Sequence, residues 1–172
     1  MKLNSLVRVA IAFLFFMAIQ IFWVKEFAFF QVAFCFVYIS ILISLPTDLP
    51  MPFLLFIAFC IGFSLDLFYD TLGIHASACV SITYFRPAIV RLLTPLGGYD
   101  DDIEISIRTM GIRWYTIYVL VIVFVHLFIL FFLEAGGFHL FYWTLAKVFA
   151  SLLLTSFFII SLQFLFFSNA KP

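Results

Sequence analysis

The sequence predicts an all-α membrane protein with about six transmembrane helices, on three observations. Of its 172 residues, 66% are apolar and only 10% charged, whereas a soluble domain sits nearer half and a quarter. The apolar residues fall in runs of about 20, enough to cross a hydrocarbon core at about 1.5 Å per residue. A chain this short keeps a large share of its surface exposed, so apolar surface on this scale needs lipid around it. Phenylalanine, with 27 copies, supplies much of that surface and reads first as lipid-facing side chains.

Charge, proline and glycine mark the breaks. The first span covers residues 6–24 and closes at Lys25-Glu26; the second covers 27–45 and ends at Pro46-Thr47-Asp48-Leu49-Pro50. The third, 52–68, opens with Pro52, which a first helical turn tolerates. The fourth covers 74–93 and the fifth 114–133. The sixth, 138–167, is longer than a membrane requires and so tilts or projects. Lys2 and Arg8 before an apolar stretch have the outline of a signal peptide, but no small-residue cleavage pattern follows and a second apolar segment does. The segment reads as a retained anchor. Residues 1–172 then form a single polytopic membrane domain.

Basic residues orient the spans. With six of them, Lys2, Arg8, Arg91, Arg108, Arg113 and Lys171 share one side, and Arg86 reaches it by snorkelling from within the fourth span. That is seven against Lys25 alone on the other side, with Lys147 inside the sixth span. Both termini are therefore expected in the cytoplasm. The one sizeable connection, 94–113, lies on that side and carries Asp100, Asp101, Asp102 and Glu104, then Arg108 and Arg113. Ile103, Ile105 and Ile107 alternate with polar residues at a two-residue period that suits a short strand. The segment is either a solvated loop with a basic end near headgroups or a docking loop for a cytoplasmic partner.

Ionisable groups at membrane depth need a reason to be there. Asp66 lies about 21 Å along the third span from Pro52, and Asp70 is one turn further, on the same face if the helix continues. The layout gathers Asp66, Asp70, His75, Glu134, His139 and Lys147 at the periplasmic end. Three readings stand for this cluster: a structural network in which Lys147 or a histidine satisfies the carboxylates, a pocket for a ligand or protein partner, and catalysis. Acid/base work by Asp66 and Asp70 is the weakest of the three, because carboxylates one turn apart on one helix do not bracket a bond well.

Gly73, Ser77 and Ser81 recur every four residues, a small-residue stripe that lets another helix come close. His126, mid-way along the fifth span, reads as a neutral histidine hydrogen-bonded to a neighbouring helix, with Gln20, Gln31 and Gln163 in similar roles. Cys35, Cys60 and Cys79 fall in apolar runs with no metal or redox spacing and read as small packing residues. No cofactor is implied. A formal net charge of zero points to neither nucleic acid nor an acidic substrate.

The run from Gly62 to Ala76, Gly-Phe-Ser-Leu-Asp-Leu-Phe-Tyr-Asp-Thr-Leu-Gly-Ile-His-Ala, resembles the hallmark segment of the MreD family of bacterial rod-shape-determining proteins. That segment has a glycine and an aspartate late in the third span, a short turn, and a Gly-Ile-His-Ala-like start to the fourth. Chain length and span layout also fit; the Pro46–Pro52 turn and the acidic 100–104 stretch have no counterpart in the pattern. By position Asp66, Asp70, Gly73 and His75 carry the motif. The resemblance implies a non-enzymatic inner-membrane component of the cell-elongation (peptidoglycan synthesis) machinery. Its partners would be the lipid bilayer and an MreC-like bitopic protein, and through the latter an MreB-like actin homologue and a peptidoglycan polymerase and transpeptidase. The family is similar in turn to the substrate-binding subunits of energy-coupling-factor vitamin transporters, which implies a six-helix fold with a periplasm-facing pocket reused to hold a partner. A vitamin-binding subunit of such a transporter is the alternative function.

Overall fold

The computed structural model describes residues 11, 13–24, 28–29, 32–45, 49–93 and 105–167. Lys2, Arg8, Lys25, Gln31, Asp100, Asp101, Asp102, Glu104 and Lys171 lie outside them. The described chain is mostly helical. A short apolar helix, α1 (Phe13–Phe22), passes into a π-helical turn at Gln20–Val24. Strands β1 (Ala28–Phe29) and β2 (Ala33–Phe34) pair antiparallel, Ala28 opposite Phe34. Helix α2 (Ile39–Ile43) is short, α3 spans Met51–Tyr69 and α4 spans Ile74–Leu93. The single turn α5 (Ile107–Met110) leads into α6 (Ile112–Glu134), and α7 (Phe141–Phe167) closes the bundle.

Three of these helices, α3, α6 and α7, are long and apolar enough to cross a membrane. Helix α4 has the length, 20 residues, but is more polar, with His75, Ser77, Ser81, Thr83, Arg86 and Arg91. Large apolar side chains cover the outer faces: Phe53, Phe56, Phe59, Phe63 and Leu67 on α3, and Trp143, Phe149, Leu153 and Phe157 on α7, are all exposed. Such a surface needs lipid or another helix against it.

The second expected span departs from expectation. Residues 27–45 do not form one helix: the described part is a pair of two-residue strands, an irregular stretch and the five-residue α2. Every residue from Cys35 to Ile43 is buried, Tyr38 and Ile39 completely. The run is rich in Phe, Val and Tyr, which favour extended backbone as readily as an apolar helix. Irregular backbone inside a membrane protein survives only where its polar groups find partners within the protein, and here side chains supply them. Ser151 Oγ of α7 accepts from Phe34 N at 2.9 Å. Thr155 Oγ1 accepts from Phe36 N at 3.1 Å and donates to Phe34 O at 3.3 Å. Gln20 Nε2 of α1 donates to Cys35 O at 3.1 Å. The far end is held by Arg86 of α4, whose guanidinium donates to Ile43 O at 3.1 Å, Leu45 O at 2.6 Å and, through Nε, Tyr118 Oη at 2.9 Å. Arg86 is therefore buried and turned inward, and does not snorkel.

The expected strand around 103–107 gives way at its described end to the helical turn α5. A capping box explains the change: Thr109 N donates to Ser106 Oγ, and Ser106 N donates to Thr109 Oγ1. Trp114 Nε1 then donates to Leu93 O at 2.9 Å, tying the start of α6 to the end of α4.

Candidate functional site: the α3–α4 joint

The resemblance motif folds into a tight joint. Helix α3 stops after Tyr69 because Asp70 takes a left-handed conformation, φ 54°, and the N–H groups of Asp70 and Thr71 both return to Asp66 O. Gly73, at φ +82°, completes the reversal in a region where an L side chain is strained. Helix α4 starts at the next residue.

A helix start exposes N–H groups with no partner in the helix, and its dipole favours negative charge there. Asp66, one turn back on α3 and 4% exposed, fills that role for α4 from outside it. Its Oδ1 accepts from His75 N at 3.0 Å and its Oδ2 from Ala76 N at 2.9 Å. Thr71 Oγ1 donates to Oδ1. His75 Nδ1 stands 3.1 Å from Oδ1 and 3.0 Å from Thr71 Oγ1, so with the proton on Nδ1 it donates to the carboxylate and the hydroxyl together. The ring of His75 in turn packs against Tyr69, with centroids 5.0 Å apart, and Tyr38, at 6.1 Å.

Gly62 allows the two helices to come this close. A Cβ there would sit 2.4 Å from Ala76 Cα, 2.6 Å from Ala76 N and 2.6 Å from His75 O. Gly62, Asp66, Thr71, Gly73, His75 and Ala76 thus have interlocking tasks: close approach, cap, support, reversal, orientation and a small facing residue.

Of the six residues grouped on the sequence, the structure joins Asp66 to His75 and sends the others elsewhere. Asp70 is exposed at the turn and does not share a face with Asp66, since α3 ends before it. Glu134 and His139 are exposed where α6 ends and α7 approaches. Lys147 does not serve Asp66: its Nζ lies over the rings of Phe34, at 5.7 Å, and Phe131, at 5.8 Å, a placement that favours a cation over an aromatic face. The carboxylate of Asp66 is satisfied by backbone amides, a hydroxyl and an imidazole.

The Gly73-Ser77-Ser81 stripe is half-buried. The buried residues of α4 are His75, Ala76, Ala78, Cys79, Ile82, Thr83, Arg86 and Ile89, shared among its contacts with α3, α6 and the irregular segment. Arg108 and Arg113, the described basic end of the expected docking loop, are exposed. His126 is fully buried and bonds Tyr38 Oη at 2.6 Å, on the irregular segment and not on a neighbouring span. Gln163 accepts from Tyr115 Oη at 3.4 Å. Cys35 and Cys79 are buried, while Cys60 faces outward. Sequence reasoning passed over Ser151 and Thr155; a hydroxyl pair one turn apart on an otherwise apolar helix is the signal that marks them.

Replacing Asp66 with Ala is expected to destabilise the protein by about 3 kcal/mol, because it leaves buried amides of His75 and Ala76 without acceptors. Asp66→Asn, which keeps one acceptor oxygen, is expected to lose less than half of that. Thermal unfolding of the detergent-solubilised variants distinguishes the two.

No family model matches the chain, and neither a curated protein nor a solved structure is significantly similar to it.

Proposed function

We propose that this chain is an integral membrane scaffold of the bacterial cell-elongation machinery, an MreD-like subunit of the inner membrane with both termini in the cytoplasm. In this reading an MreC-like bitopic protein docks on its helices, and the actin homologue and wall-synthesis enzymes assemble through that partner. One observation carries it: the carboxylate and imidazole of the motif are spent on holding α3 against α4, which is the work of a part whose product is shape. The exposed aromatic faces of α3 and α7 offer the apolar surface that a single-pass partner helix would share with lipid.

The transporter alternative needs room for a vitamin between the helices. Cys35–Leu45 occupies the described interior instead, anchored from α1, α4, α6 and α7. That occupancy favours the scaffold.

Purification from native membranes in mild detergent tests the reading. A bitopic coiled-coil protein in stoichiometric amount is the expected companion. A bound vitamin, or a pair of ATPases, overturns the scaffold in favour of transport.

A further inference from the structure

A polar file runs through the interior behind the joint. Gln20 Nε2 donates to Tyr69 Oη at 2.8 Å; the Tyr69 ring meets His75, His75 meets Tyr38, and Tyr38 Oη bonds His126 Nε2. These side chains come from α1, α3, α4, the irregular segment and α6. At its two extremes, Gln20 Oε1 and His126 Nδ1 are buried and have no hydrogen-bond partner among the described residues. Both residues are fully buried.

His126 is the sharper case, because neither tautomer of the neutral ring resolves it. If Tyr38 donates to Nε2, the proton sits on Nδ1 and that N–H has no acceptor among the described residues. If Nε2 carries the proton and donates to Tyr38, the Nδ1 lone pair is orphaned and the Tyr38 hydroxyl hydrogen must look elsewhere. Buried polar groups in folded proteins are seldom left so, and internal water is their usual partner where protein atoms are lacking. Ser40 in the irregular segment, Thr83 on α4 and Ser156 on α7 carry buried hydroxyls that also have no partner among the described residues, so this interior is polar enough to hold water in more than one place.

We infer that the Nδ1 side of His126 is a binding site for internal water, at one end of the file of side chains that runs Gln20–Tyr69–His75–Tyr38–His126. The irregular segment is then packed against helices through water as well as through side chains, at a depth where the outer surface of the protein is lipid-facing. The inference does not depend on the scaffold reading and stands or falls separately from what co-purifies.

The chain has three histidines, which makes the test direct. Protein labelled with 15N-histidine is placed in lipid vesicles and its imidazole signals are recorded by solid-state NMR after a short filter that passes only magnetisation arriving from water. Exposed His139 is the internal reference, identified by its loss in His139→Gln, and the His126 signal is told from that of His75 by its loss in His126→Gln. The expected result is that the His126 imidazole signal survives the filter as that of His139 does. Loss of the His126 signal under conditions that retain His139 means the site is dry and overturns the inference.

Discussion

Gly62→Ala is expected to lower the stability of the purified protein by about 3 kcal/mol, at the upper end of what one added methyl group costs in a packed interior. The size of the effect follows from what the methyl would strike. The nearest atoms are backbone, Ala76 Cα at 2.4 Å with Ala76 N and His75 O at 2.6 Å, and backbone cannot swing aside as a side-chain tip does. Nor can the first turn of α4 retreat, because Asp66 holds its amides. The helices must separate, and the cap must lengthen with them. Ser64→Ala, two residues along the same helix, removes a hydroxyl that bonds back to Cys60 O of its own helix at 2.7 Å, and is expected to stay within about 0.5 kcal/mol of the parent. Equal effects from the two substitutions would mean that α3 and α4 do not meet at Gly62.

Arg86→Met is expected to be as damaging by a different route. It keeps the stem of the side chain and removes its donors, leaving the buried carbonyls of Ile43 and Leu45 without partners at about 1–3 kcal/mol each. Part of that loss is offset because a guanidinium no longer has to be buried. The net expectation is a loss of about 2–4 kcal/mol, with the damage concentrated at the irregular segment. Arg86→Lys is expected to fall between, since one ammonium cannot span two carbonyls and a phenol hydroxyl as a planar guanidinium does. Thiol labelling reports the location. In the parent, Cys60 is exposed and Cys35 and Cys79 are buried; in Arg86→Met, Cys35 is expected to become reactive while Cys79, between α4 and its neighbours, stays protected. Loosening of Cys79 ahead of Cys35 would contradict the assignment of Arg86 to the segment.

The sequence located the joint but not its chemistry. The limits of α4 coincide with the fourth apolar run, because Gly73 before it and Pro95, Gly97 and Gly98 after it bracket the run. Asp66 and His75 stand out as ionisable groups in an apolar stretch, yet the partners of Asp66 are mostly backbone amides, which leave no mark in a sequence. Lys147 was the natural counter-charge on paper, and only the positions of Phe34 and Phe131 show where it goes instead. The second apolar run was opaque for a related reason. Hydropathy reports that residues 27–45 avoid water, and it cannot tell whether lipid or protein surrounds them. Their aromatic and β-branched content fits either a helix in lipid or an extended strand in a core. The side chains that decide the matter, Ser151, Thr155 and Arg86, are more than forty residues away in the chain. Arg86 itself looked like a snorkelling cation because the carbonyls it serves exist only once that segment is irregular.

The central claim is that Asp66 is the acceptor for the first amides of α4, and amide hydrogen exchange at His75 and Ala76 in the native protein measures this most directly. First-turn amides of a helix ordinarily exchange freely because they have no partner. The account predicts that these two are protected in the parent and lose that protection in Asp66→Ala, while amides in the middle of α4 remain slow. Fast exchange at both positions in the parent, with an intact α4 beyond them, would contradict it.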